Sequence, residues 1–136
     1  MSTEAWRQAA YELLPAFRDR VEAAEDVSMF WIELWDCEVE GVENQSLSDA
    51  KIASLFRFAS WCLLSDDEKC QGAAIVNFYE MIPTNLSIRQ NLTKHLSVDD
   101  FIGLQRLFEH NLSKAEHAEF VQEFMTKAKS QPNSGI

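Results

Sequence analysis

Three histidines, three cysteines and twenty-two carboxylates are the side chains best suited to chemistry in this 136-residue chain. A metal ion needs ligands that converge at suitable spacing. None of His95, His110 and His117 has a glutamate three residues before it, so the di-iron helical motif is absent. His117 shares a helical stripe with Phe120, Val121 and Phe124, the place of a half-buried, hydrogen-bonded imidazole. Cys37, Cys62 and Cys70 form no C-x-x-C pair, and Cys62 and Cys70 sit eight residues apart across a helix junction, as structural thiols would. There is no G-x-S-x-G elbow, and the four glycines are scattered, so no phosphate-cradling loop can be drawn. The reading is therefore no catalytic residue, no metal and no cofactor.

Two features rise above that background. Residues 31–43, WIELWDCEVEGVE, hold five acids and no base. Helical spacing puts Glu33, Asp36 and Glu40 on one side around Met29, with Glu38 and Glu43 at the helix end. Acids near a helix C-terminus oppose the helix dipole, a mild cost that a basic partner would offset. The plain alternative is a solvated acidic face. The second feature is Asn77 and Glu80, one turn apart on an otherwise apolar helix. A buried glutamate needs a partner. Here either that edge reaches solvent or pairs with an arginine such as Arg57, or the two residues form a polar spot in a groove.

These side chains have to be positioned by helices. Trp6, Ala9, Ala10, Leu13, Leu14, Phe17 and Val21 make one stripe that stays in phase through Pro15. Proline deletes a helical hydrogen bond and clashes with the carbonyl four residues back, so the first helix is either kinked and ends near Ala24 or splits at Leu14. A helix from Val27 to Glu40 turns Val27, Phe30, Trp31, Leu34 and Trp35 inward, and the polar run 41–47 is a loop. Residues 48–82 read as two helices apolar on nearly every side, the centre that neighbours wrap.

Five Leu-Ser pairs, at 47, 64, 86, 96 and 112, punctuate the remainder. A serine ahead of a helix accepts from an orphan amide, and an acid or glutamine three residues on can reach back. Ser65 with Glu68, Ser87 with Gln90 and Ser113 with Glu116 fit that box, and Ser97 with Asp100 is a shorter version. Leu47 with Ile52 and Leu96 with Phe101 fit an apolar staple across the cap. The expected helices are 49–64, 66–82, 87–95, 98–111 and 114–129, with Pro83 stopping the second. The fold class is all-α: a compact multi-helix bundle or short curved array of about six to seven helices, one domain over 1–129 and a disordered tail over 130–136.

The net charge of −10 is lopsided, because residues 1–68 carry 15 acids against 5 Lys or Arg while residues 69–136 carry 7 of each. Such a face repels nucleic acids and anionic membranes and attracts basic partners. No signal peptide and no span of about 18 apolar residues is visible. Cys37, Cys62 and Cys70 in helical patterns suit buried thiols in a reducing compartment, so the expectation is a cytoplasmic protein.

The run FRFASWCLLSDDEKCQGAAIVNFYEMIP, residues 56–83, resembles a pattern in small all-helical bacterial proteins, some of them similar to immunity proteins of toxin systems. The resemblance rests on Phe58, Trp61 and Leu64, on the Ser65-Asp66-Asp67 junction, and on Ala74, Val76, Phe78 and Glu80. It implies a small binding protein and carries over no catalytic residue. The leading expectation is thus a non-enzymatic module whose acidic helix docks a basic protein, with Met29, Ile32 and Val39 at the apolar rim. The alternatives are a structural domain that self-associates through positions such as Leu107, and a small-molecule enzyme built from scattered acids and histidines.

Overall fold

The computed structural model describes residues 4–40 and 48–130, with the side chains of residues 38–40 left aside. Every regular element among them is helical. In chain order these are α1 (Ala5–Leu13), a 3₁₀ turn (Pro15–Phe17), α2 (Arg18–Ala23), α3 (Val27–Leu34) running on as a π-helix (Trp35–Glu40), α4 (Asp49–Leu64) and α5 (Glu68–Asn77). A 3₁₀ segment (Tyr79–Thr84), α6 (Leu86–Gln90), a 3₁₀ turn (Leu92–Lys94), α7 (Val98–Glu109) and α8 (Lys114–Ser130) follow. The fold is all-α, as the helical periodicity implies. The backbone groups into two compact units, Met1–Phe78 and Tyr79–Ile136.

In the first unit α5 packs against both α3 and α4, and α1 lies on α4. Its core is aromatic. The Phe78 ring lies 5.0 Å from both Trp31 and Phe56, and Phe58 stacks on Trp31 at 5.5 Å. Phe30 meets Phe58 edge-on at 5.7 Å and Trp6 at 5.9 Å. Rings meeting edge-on or offset gain about 0.5–1.5 kcal/mol beyond the area they bury. In the second unit Phe101 stacks on Phe124 at 3.9 Å, with Phe108 and Phe120 closing the cluster at 5.4 and 5.5 Å from it.

Pro15 splits the first helix. Leu14 leaves the helical region (φ −125°, ψ 55°), and the chain restarts as a 3₁₀ turn before α2. Arg7 ties the two halves together by donating to the Val21 carbonyl. The expected single helix over 66–82 is also interrupted. It begins later, at Glu68, because Asp67 caps it by accepting the Lys69 N–H at 2.9 Å, while Ser65 Oγ accepts from the Asp67 N–H ahead of the helix. It ends earlier, where Phe78 (φ −126°, ψ −67°) breaks from α5. A helix continued to residue 82 would set the Pro83 ring against the Tyr79 carbonyl, and the tighter 3₁₀ segment carries the chain past that conflict.

Asn85 likewise replaces Ser87 as a cap, accepting from Ile88 N–H at 2.9 Å. Ser48, Ser97 and Ser113 cap as expected, and Ser113 with Glu116 makes both bonds of the capping box at 2.8 and 3.1 Å. The expected all-round burial of α4 and α5 does not hold. Leu64 is 82% and Val76 55% exposed, so each helix keeps an outer face. Leu47, the loop 41–47 and residues 131–136 of the expected tail lie outside the described residues, and Ser130 is the last residue of α8.

Candidate functional site

Asp26 opens α3. Its Oδ1 accepts the Met29 N–H at 2.8 Å, which anchors one of the amides that every helix start leaves without a partner. From there the 3.6-residue period divides the helix. Val27, Phe30, Trp31, Leu34 and Trp35 are buried, as their spacing predicts. The opposite side carries Asp26, Met29, Ile32, Glu33 and Asp36, with Glu25 just before the cap. Met29 is 37% and Ile32 40% exposed, two large apolar side chains in water on a helix already well supplied with buried ones. Glu25, Asp26 and Asp36 are exposed around them and Glu33 is half-buried. Of the expected docking face, Met29 and Asp36 are thus exposed and Glu33 is half-buried, with exposed Glu25, Asp26 and Ile32 near them in the chain. The Glu38, Val39 and Glu40 side chains and all of Glu43 lie outside the described residues.

The π-helix beginning at Trp35 adds a residue to the turn, which changes the facing of everything after it. Trp35 stays buried, with Phe78 edge-on at 6.2 Å, while Cys37, expected as a buried thiol like Cys62 and Cys70, is exposed.

Beside this face is an open groove of about 530 Å³ lined by Pro15, Ala16, Phe17, Arg18, Asp19, Arg20, Ala23 and Glu33. It exists because the chain steps sideways at Pro15 and then restarts as α2. Arg18 is held in place from two sides. Its guanidinium lies 4.5 Å from the Tyr11 ring centre, and its Nε donates to Glu22 at 3.2 Å. The Lys51 ammonium lies 5.9 Å from the Phe17 ring centre. The sequence reading found Glu33 but missed Arg18, Asp19 and Arg20. Pro15 in mid-stripe was the signal that the backbone would open there.

Asn77 and Glu80 do not share a helix turn. Asn77, half-buried, is the last residue of α5, whereas Glu80 belongs to the 3₁₀ segment of the second unit. Glu80 is 8% exposed. Its Oε1 faces the largely exposed His110 Nε2 at 3.8 Å, and its carbonyl accepts from Asn111 Nδ2 at 3.2 Å. Arg57 donates to Ser54 Oγ at 3.1 Å. His117 is half-buried as expected but not hydrogen-bonded as expected: Nε2 faces Glu109 Oε2 at 3.8 Å, and the buried Nδ1 has no hydrogen-bond partner among the described residues. Among the described residues no three His, Cys, Asp or Glu side chains are grouped to hold a metal ion, and no helix is long and apolar enough to cross a membrane.

Two thiols are sealed in the first unit. Burial pushes Cys62 up to about 12, with Cys70 adding to the rise and Trp31 opposing it. Burial together with the Asp67 carboxylate pushes Cys70 up to about 11. Nucleophilic attack requires the thiolate, so neither sulfur is reactive near neutrality. Comparison with known proteins returned no match to a family model, a curated protein or a solved structure.

Proposed function

We propose that this chain is a non-enzymatic protein-binding module, of the kind its resemblance to immunity proteins implies, and that it uses the outer face of α3 to dock a basic partner protein. One observation carries the reading: Met29 and Ile32 stand exposed on a stretch that also carries exposed Glu25, Asp26 and Asp36 and half-buried Glu33. Interfaces concentrate their energy in an apolar centre, with charges at the rim that steer encounter and select the partner. The surrounding charge supports it. Residues 1–78 hold 15 acids against 6 Lys or Arg, a net −9, while residues 79–136 hold 7 against 6, a net −1. The steering field therefore belongs to the unit that carries α3. The buried free thiols Cys62 and Cys70 suit work in a reducing compartment such as the bacterial cytoplasm.

The test is affinity capture from lysate at low and high salt with three proteins: wild type, the pair Glu33→Lys and Asp36→Lys, and the pair Met29→Asp and Ile32→Asp. A basic protein held by wild type, released by salt and lost with both variants is the expected result. Capture that survives both variants, each folded by circular dichroism, refutes the assignment of this face. A second reading, self-association, is favoured by Ile102, which is 52% exposed on α7, whereas Leu107 is half-buried. A monomer by light scattering at high protein concentration removes it.

A further inference from the structure

The groove at the Pro15 break has a lining of unusual chemistry for so acidic a unit. Its charged side chains are two guanidiniums, Arg18 and Arg20, and two carboxylates, Asp19 and Glu33. The remainder is apolar: Pro15, Ala16, Phe17 and Ala23. Its volume of about 530 Å³ falls in the range of roughly 300–1,000 Å³ found for small-molecule sites. A purely anionic ligand would meet Asp19 and Glu33, and a purely cationic one would meet Arg18 and Arg20. A molecule carrying both charges a few bonds apart, with an apolar body, complements the whole lining. We infer that the groove binds a small zwitterion of the amino-acid class with an apolar or aromatic side chain.

In that arrangement a guanidinium takes the carboxylate by charge-assisted hydrogen bonds, for which the planar fork of arginine is well shaped. Arg18 is pre-positioned for this. The Tyr11 ring holds one face of its guanidinium and Glu22 holds Nε, which leaves both terminal nitrogens out of the Glu22 bond. Glu33 takes the ammonium, and the apolar side chain lies along Pro15 and Phe17. Glu33 belongs both to this lining and to the outer face of α3, whereas the remaining groove residues are separate from Met29 and Ile32. The inference therefore goes beyond the docking proposal and can stand or fall without it.

The experiment is a titration of the full chain, followed by amide NMR and calorimetry, with L-phenylalanine, N-acetyl-L-phenylalanine and L-phenylalanine amide. The variants are Arg18→Gln, Glu33→Gln and Ala23→Trp, the last at an exposed position where the indole would fill the groove. The expected result is saturable binding of L-phenylalanine with shifts at residues 15–23 and 33. Each capped derivative and each charge variant should weaken it by about tenfold or more, the loss of one charge-assisted contact of about 1.4 kcal/mol, and Ala23→Trp should abolish it. Absence of saturation by about 10 mM, a limit near the weakest binding worth the name, overturns the inference. So does equal binding of the capped forms, which would mean a merely apolar slot, or full binding by folded Ala23→Trp, which would put the ligand elsewhere.

Discussion

The three cysteines show what single side chains owe to their surroundings. Cys37 is exposed on the π-helix, whereas Cys62 and Cys70 are buried. Iodoacetamide at neutral pH should therefore label Cys37 in the folded protein and reach the other two only after unfolding, as peptide mass mapping would record. Equal labelling of Cys62 in the native state would contradict its burial. The same burial makes stability depend on alkaline pH. An unfolded thiol loses its proton near 9, but in the fold Cys62 holds its proton to about 12 and Cys70 to about 11. Between those limits the native state binds more protons than the unfolded one, so stability falls as pH rises. The full contribution is present below pH 9, and each thiol then removes up to about 1.4 kcal/mol per pH unit. Urea midpoints for wild type should drop more steeply from pH 9 to 10.5 than those of Cys62→Ala, compared by slope because the substitution also lowers the baseline. Parallel slopes would remove the effect.

At the scale of elements, caps decide where helices begin. Asp26→Ala leaves the first turn of α3 without its acceptor and should cost about 1 kcal/mol, seen as a lower urea midpoint with unchanged slope. Asp26→Asn keeps an equivalent cap and removes only the charge, so it should hold the stability of wild type. If both variants lose equally, the charge and not the bond was responsible. Capping also explains which elements could be read from sequence. The bounds of α4, α7 and α8 follow from Ser48, Ser97 and Ser113, each the nearest acceptor ahead of an apolar stripe. Ser65 and Ser87 mislead because Asp67 and Asn85 each cap from two residues away along the chain, at Lys69 N–H and Ile88 N–H, and a serine-based pattern does not rank such neighbours. The α-to-3₁₀ change at Phe78 and the α-to-π change at Trp35 are not marked by a Gly, a Pro or a capping serine at either residue, so the stripe reading runs straight through both. The exposure of Met29 was nonetheless legible, because it precedes the π segment on the side away from the buried stripe. The groove was not, since it arises from the sideways step at Pro15 and periodicity measures only phase.

Across the whole molecule the charge is divided as unequally as the fold. The unit ending at Phe78 carries −9 and the unit beginning at Tyr79 carries −1. Like charges confined to one compact unit repel, and that repulsion is relieved on unfolding, so it destabilises the native state. Salt screens it, with a Debye length near 10 Å at about 0.1 M that shortens to roughly 3 Å at 1 M. In the second unit the nearly balanced charges and the bond of 2.7 Å between Arg89 Nε and Glu123 leave salt little net repulsion to screen. Raising sodium chloride from about 0.05 to 0.5 M should then slow amide exchange around Phe30 and Phe58 while leaving amides around Phe101 and Phe124 unchanged or slightly faster. Chloride and sulfate salts must be compared, because sulfate also strengthens apolar burial in both units alike. Equal gains in both units with chloride would show that the acidic surface of the first unit carries no stability cost. Protection confined to the first unit would show that its charge excess is tolerated at the expense of stability, as expected of a surface kept for a basic partner.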